Sequence, residues 1–241
     1  MTTANNSTKA TLEMVIAMIL SGTIGYFVIS SGQSFWNVVF FRCLIGAVTL
    51  GLYAWYRGIL PKAALQKGTF LLIVCGGITL VGNWVFLFAS FDYIPFSIAT
   101  MAYHTQPLML VLASAILTKQ GVAPALLFWL LVSFVGLLLV AELDIEQLVA
   151  IFSGNGKSEN AAFGVLLALA AALLYTVTTL VTKKIDQVQP YMIALIQVVV
   201  GVFMLLPFVQ FTQLPSTVMP WIDLLILGVI NTGFMYVIMY D

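Results

Sequence analysis

The stretch Thr69–Phe91, TFLLIVCGGITLVGNWVFLFASF, carries no charged side chain from end to end. A hydrocarbon core roughly 30 Å thick is crossed by a helix of about 20 mostly apolar residues, and this run has that length. Barrel strands would instead alternate polar and apolar residues in pieces of about ten, a pattern absent here. The run therefore reads as a transmembrane helix. Seven further runs read the same way: Leu12–Ser31, Phe35–Tyr56, Ile94–Leu117, Pro124–Val140, Ala162–Val181, Tyr191–Phe208 and Trp221–Tyr240. The expected fold is all-α, a polytopic membrane helix bundle.

The composition agrees. Hydrophobic residues make up 62% of the chain and charged ones 7%, against roughly 45–50% and about 25% in soluble domains. Nine Lys and Arg with nine Asp and Glu cannot cover a soluble globule, and a net charge of zero without a basic cluster gives nucleic acid nothing to bind. Cys43 and Cys75 both lie in apolar runs, so small buried hydrophobes are expected rather than reactive thiols. Gly154-Asn155-Gly156-Lys157-Ser158 looks like part of a phosphate loop, but Ile151 stands where that motif needs its first glycine. No cofactor and no metal site is expected.

Orientation follows from the basic residues. With the N-terminus in the cytoplasm and sides alternating at each span, Lys9, Arg57, Lys62, Lys67, Lys119, Lys183 and Lys184 are cytoplasmic, and Lys157 alone is outside. The expected location is the inner (plasma) membrane. The first span is a retained helix rather than a signal peptide, since no small-residue cleavage site follows it.

The loop 141–161, with Glu142, Asp144, Glu146 and Glu159, divides the chain after five spans. An odd number of spans makes a second copy insert upside down. Offset by 151 residues, Gly77 and Gly82 fall on Gly228 and Gly233; offset by 155, Arg42 and Gly46 fall on Gln197 and Gly201. The expected domains are a polar, disordered N-terminus 1–11, a first five-helix repeat 12–140, the acidic outer loop 141–161, and an incomplete second repeat of three helices, 162–241. Inverted repeats mark many secondary transporters, whose substrate site lies near the bilayer midplane. Eight spans of an expected ten leave about 50–60 residues unaccounted for, so a fragment or a prematurely ended reading frame is expected.

Several stretches carry a resemblance: Phe40-Phe41-Arg42-Cys43-Leu44-Ile45-Gly46-Ala47, Ala99-Thr100-Met101 through Thr105-Gln106-Pro107-Leu108, Gly164 to Tyr175, and Gly228-Val229-Ile230-Asn231-Thr232-Gly233 through Tyr236. In order and spacing they resemble the EamA-type drug/metabolite transporters, with ten helices in two inverted five-helix repeats. The resemblance implies transport of a small metabolite or drug, with export of amino acids or related metabolites favoured. It also commonly places an Arg at the position of Arg42.

Polar groups inside spans mark the candidate site, because lipid does not satisfy them. Arg42 fits either an anion contact or a tie between helices. His104, the only histidine, fits a proton carrier or a neutral hydrogen-bonding partner. Pro107 removes the hydrogen bond to the Tyr103 carbonyl and bends the fourth span beside Tyr103, His104 and Gln106. It is either a tolerated proline or a gate. Asn83, Trp84, Tyr175, Gln197, Asn231 and Tyr236 suit a cavity for amino-acid-like or amphipathic solutes, or hold helices together. Glu13, Asp92 and Asp223 fall at span ends, which leaves no carboxylate at a span centre.

The function expected is secondary transport by alternating access without ATP, with the lipid bilayer and a small solute as partners, and a homodimer as a further possibility. Two alternatives are an intramembrane enzyme, for which the chain offers no acid–base pair at one depth, and a non-transporting membrane interaction protein if the chain is truncated.

Overall fold

The computed structural model describes residues 2–58, 66–119, 121–140, 158–185 and 188–240. Residues 154–157 of the phosphate-loop-like segment, most of the acidic loop and Lys62 lie outside the described residues. The elements are α1 (Thr2–Ser30), α2 (Phe35–Tyr56), α3 (Lys67–Ser90), α4 (Phe96–Tyr103), α5 (Gln106–Thr118), α6 (Pro124–Val140), α7 (Ser158–Thr182), α8 (Pro190–Leu205) and α9 (Val218–Leu225). A π-helical segment (Ile226–Phe234) and α10 (Met235–Tyr240) follow. No strand occurs among the described residues.

Six helical stretches among the described residues are long and apolar enough to cross a membrane: Thr11–Ser30, Phe35–Tyr56, Lys67–Ser90, Asn160–Thr182, Pro190–Phe208 and Val218–Met239. The two other predicted spans differ. The fifth, α6, is a shorter apolar helix whose described side chains are mostly exposed. The fourth is not one helix: α4 stops at Tyr103 and α5 starts at Gln106. Pro107 in the first turn of α5 has no N–H for the Tyr103 carbonyl, so the helix parts instead of only bending. The His104 amide and Nδ1 both donate to the Thr100 carbonyl, and Thr105 Oγ1 donates to Ala102, satisfying carbonyls at the break.

The N-terminus also departs from expectation. Residues 2–11 continue α1 as helix rather than forming a disordered head. No proline or glycine interrupts them, and Lys9 pairs with Glu13 one turn on at 3.2 Å. At their other ends, α1 and α2 stop at glycines in the left-handed region, Gly32 at φ 57° and Gly58 at φ 65°. Ser34 Oγ caps α2 by accepting the Asn37 amide.

The chain forms two compact units, residues 1–78 with 185–241, and residues 79–184. Each draws on both sides of the acidic loop. In the first, α2 packs against α8, with Tyr53 edge-on to Tyr191 near one end and Trp36 stacked on Phe208, 4.7 Å between centroids, near the other. Indices that run oppositely make these two helices antiparallel. On its other side α2 runs parallel to the last span. A Cβ on Gly228 would lie 2.4 Å from Ile45 Cβ, and one on Gly233 2.4 Å from Thr49 Cγ2. Gly77 is pressed onto α8 in the same manner: a Cβ there would lie 3.0 Å from Gln197 Cα and 3.2 Å from Val200 Cβ. The two contacts correspond: Gly77 and Gly228 are 151 apart, and their partners Ile45 and Val200 are 155 apart.

The second unit packs α4 and α5 against α7. Ile94, Ile98, Ala99, Ala161 and Ala168 form its buried cluster, and Gly164 lets Tyr93 and Ile94 approach to where a Cβ would lie 2.7 Å from Tyr93 Cβ. Thr79 and Thr178 share a hydrogen bond at 2.8 Å. Replacing both by Val is expected to cost less than the sum of the two single changes. The coupling should be about 0.5–1.5 kcal/mol in a double-mutant cycle on thermal unfolding.

Candidate functional site

In the first unit three buried polar residues, Arg42, Asn231 and Thr232, meet at the π-helical segment. Arg42 is 2% exposed; its Nε donates to Thr232 Oγ1 at 2.9 Å and its Nη2 to the Asn231 carbonyl at 3.4 Å. Thr232 Oγ1 in turn donates to the Leu227 carbonyl five residues back. Asn231 is fully buried, and its Nδ2 donates to the Leu20 carbonyl at 2.6 Å and to Thr23 Oγ1 at 2.9 Å. Wider helical turns leave carbonyls poorly served by the backbone, and such segments recur at functional sites. Here Arg42 of α2 serves the Asn231 carbonyl, and Thr232 of the segment itself serves that of Leu227. The contacts of Arg42 thus match the role of a tie between helices.

Substituting Arg42 by Met is accordingly expected to destabilise the protein by about 1.5–3 kcal/mol, the weight of a hydrogen bond from a charged donor, read as a lower unfolding temperature in detergent. Lys should restore only part of it, because one ammonium cannot reproduce the two-point contact of the guanidinium. A fully stable Arg42→Met protein with altered solute affinity would instead assign Arg42 to solute binding.

Gln197, on α8, is buried with its backbone against Gly77, and Tyr236 is half-buried in α10. These four residues, Arg42, Gln197, Asn231 and Tyr236, belong to the first unit; the other candidates belong to the second.

There, Asn83 is fully buried on α3, and neither its Nδ2 nor its Oδ1 has a hydrogen-bond partner among the described residues. A buried amide left unpaired at both ends costs several kcal/mol unless something else occupies it. Trp84 beside it is 7% exposed. Tyr103 and Tyr175 stack, centroids 6.2 Å apart and planes 28° from parallel, bringing α4 and α7 together. His104 is exposed rather than enclosed, at the break between α4 and α5, edge-on to Tyr103. Since the Thr100 carbonyl can only accept, Nδ1 carries a proton. Gln106 is half-buried and Pro107 exposed.

Three features escaped the sequence reading. Asp223 is not at the end of its span: it is the sixth residue of the Val218–Met239 run and 6% exposed, because the helix begins before Trp221. Asn37 is fully buried and pairs reciprocally with the backbone of Gln210, donating to its carbonyl at 3.3 Å and accepting its amide at 2.8 Å. Cys75, unlike buried Cys43, is exposed.

With this geometry in view, the EamA-like transporter family matches residues 8–141 and 162–241. The chain belongs to that family. It is also similar to the uncharacterized transporter YxxF of Bacillus subtilis (strain 168), 28% identical over 239 residues, which cover 99% of this chain and 74% of the relative. A solved crystal structure matches with a TM-score of 0.72 at 20% identity, over 96% of this chain and 78% of the other, a likeness of fold. The all-α fold therefore stands on both sequence and structure, and the membership of a transporter family on the sequence comparisons.

Proposed function

We propose that the protein is a secondary transporter that exports a small amino-acid-like or amphipathic metabolite by alternating access, without ATP. The observation that carries this reading is the amide of Asn83, buried in a membrane-spanning helix with its donor and its acceptor both unmatched among the described residues. In a transporter the natural complement is a polar solute present for part of the cycle. Trp84, Tyr103, Tyr175 and Gln106 belong to the same unit and supply the aromatic and polar surface such a solute needs. His104, exposed at the interruption between α4 and α5, is a candidate to exchange a proton, and the helix break before Pro107 is a candidate gate. Arg42, Gln197, Asn231 and Tyr236 act as ties within the first unit. The excess of basic residues on one side supports an inner-membrane location with the N-terminus in the cytoplasm.

Counterflow in proteoliposomes tests this reading. Comparing the medium of overexpressing and deletion cells supplies the metabolites to load. Exchange of labelled for unlabelled solute without chemical change is the expected result. A converted product would assign an enzyme, and no exchange of any enriched metabolite would overturn transport.

A further inference from the structure

We propose that Asn83 receives the uncharged edge of a flat solute, one that carries a hydrogen-bond donor beside an acceptor, as a carboxamide, a lactam or a heterocyclic base does. This solute class rests on the reading of Asn83 as part of a transport site. Within that reading it favours an amphipathic solute over a zwitterionic amino acid.

Two close approaches set the register of α3 against α7. Thr79 and Thr178 are hydrogen-bonded at 2.8 Å, and a Cβ on Gly82 would lie 3.3 Å from Leu174 Cδ1. Indices that rise on α3 fall on α7, so the two helices are antiparallel here. Asn83, one turn beyond Thr79 on the same face, therefore stands at the level of the α7 turn that holds Leu174 and Tyr175. Tyr103 stacks on Tyr175, and Trp84, which follows Asn83 in the chain, is buried. Aromatic rings at the level of an unmatched amide suit a flat, partly apolar body.

The amide itself specifies the polar edge. Its Oδ1 accepts and its Nδ2 donates, side by side, and both are buried without a partner among the described residues. A carboxylate offers acceptors only: it meets Nδ2 and sets a negative charge against Oδ1. An ammonium or amidinium offers donors only and leaves Nδ2 unmatched. A hydroxyl reaches both atoms only through bent hydrogen bonds, which are weaker. An amide edge meets both in line. A charged group would also find no counterpart at this depth. Between residues 79 and 184 the helices carry one charged side chain by sequence, Glu159, in the first turn of α7. It precedes Leu174 by fifteen residues, about 22 Å along a helix rising 1.5 Å per residue. His104 is exposed at the break between α4 and α5, with Nδ1 on the Thr100 carbonyl. A solute charge beside Asn83 would thus be buried unpaired, which is costly.

The test is a thermal-unfolding titration of the purified 241-residue chain in detergent, near neutral pH, with four probes of similar shape. Benzamide carries donor and acceptor, N,N-dimethylbenzamide the acceptor alone, benzoate a negative charge and benzamidinium a positive one. A ligand that binds the folded state raises its unfolding temperature. Benzamide is expected to produce a given rise at a concentration at least about tenfold below the other three, because a site that hydrogen-bonds its ligand rejects analogues that leave buried groups unpaired. Asn83→Leu should abolish that preference. Asn83→Asp, which turns the donor into a second acceptor, should transfer it to benzamidinium. Equal responses, no response, a preference for a charged probe, or a benzamide preference that survives in Asn83→Leu overturns the proposal. Should either variant fail to fold, the ranking on the wild-type chain still decides. Failed counterflow with the benzamide preference intact removes transport and leaves the site. Intact exchange without that preference removes the solute class and leaves transport.

Discussion

Gly228→Ala is expected to destabilise the protein by at least about 1–3 kcal/mol, the range for forcing an extra carbon into a packed contact. The new Cβ would lie 2.4 Å from Ile45 Cβ, 2.5 Å from its Cγ2 and 3.4 Å from the backbone nitrogen of Gly46. None of these is the far end of a flexible side chain. A Cβ is fixed by the backbone, and a β-branched side chain has little rotamer freedom with which to withdraw. The parallel pair of α2 and the last span must therefore separate, which also loosens Arg42 from Thr232 and Asn231. Ile45→Ala should rescue only in part, since it removes Cγ2 and leaves the Cβ. Gly22→Ala and Gly136→Ala provide the contrast, because a Cβ at either meets nothing within 4 Å. In a helix interior that exchange gains about 0.5–1 kcal/mol. Unfolding temperatures in detergent should thus move down for Gly228→Ala and up or not at all for the other two. Gly228→Ala as stable as wild type would refute the close packing of these helices.

That contact also shows which parts of the structure can be read from the chain. The spans are legible because lipid leaves the backbone no hydrogen-bonding alternative to helix, so a long apolar run decides its own conformation. The close approaches of Gly77 and Gly228 are legible too, as glycines at a common offset, since a position that admits no Cβ leaves a mark in the sequence. The π-helical segment leaves none. Its polar groups are met by Arg42 and Thr23, residues far away in the chain, and Ile226–Phe234 looks locally like any apolar helix. The pairing of Asn37 with Gln210 is likewise invisible, because an amide imitating a backbone neighbour has no local pattern. Asp223 was misread for a smaller reason. Starting the last span at Trp221 put the acid at its rim, whereas Val218–Pro220 already belong to the helix and carry it inward. For the candidate site, residue type singled out Asn83, but only the burial of both amide atoms without partners separates it from an ordinary helix tie such as Asn231 Nδ2.

That separation makes Asn83→Leu the most informative change in the second unit. Leucine has nearly the shape of asparagine and needs no hydrogen bonds. An unsatisfied buried donor or acceptor costs about 1–3 kcal/mol, so removing both from a fully buried position should stabilise the protein by a gain of that order. If the amide contacts a solute, the same change removes both halves of that contact. Exchange in counterflow should then fall at least about tenfold, the equivalent of 1.4 kcal/mol. Higher stability with lower exchange is the pattern of a group retained for function at the expense of the fold. The opposite pattern, a lower unfolding temperature with exchange intact, would mean that the amide is held by buried water and supports α3. Asn83→Gln distinguishes the two further. It keeps both polar atoms but carries them one methylene onward, so it should impair exchange if the amide has to meet a solute at a fixed position. In a site served by water, which can rearrange around the longer side chain, exchange should persist.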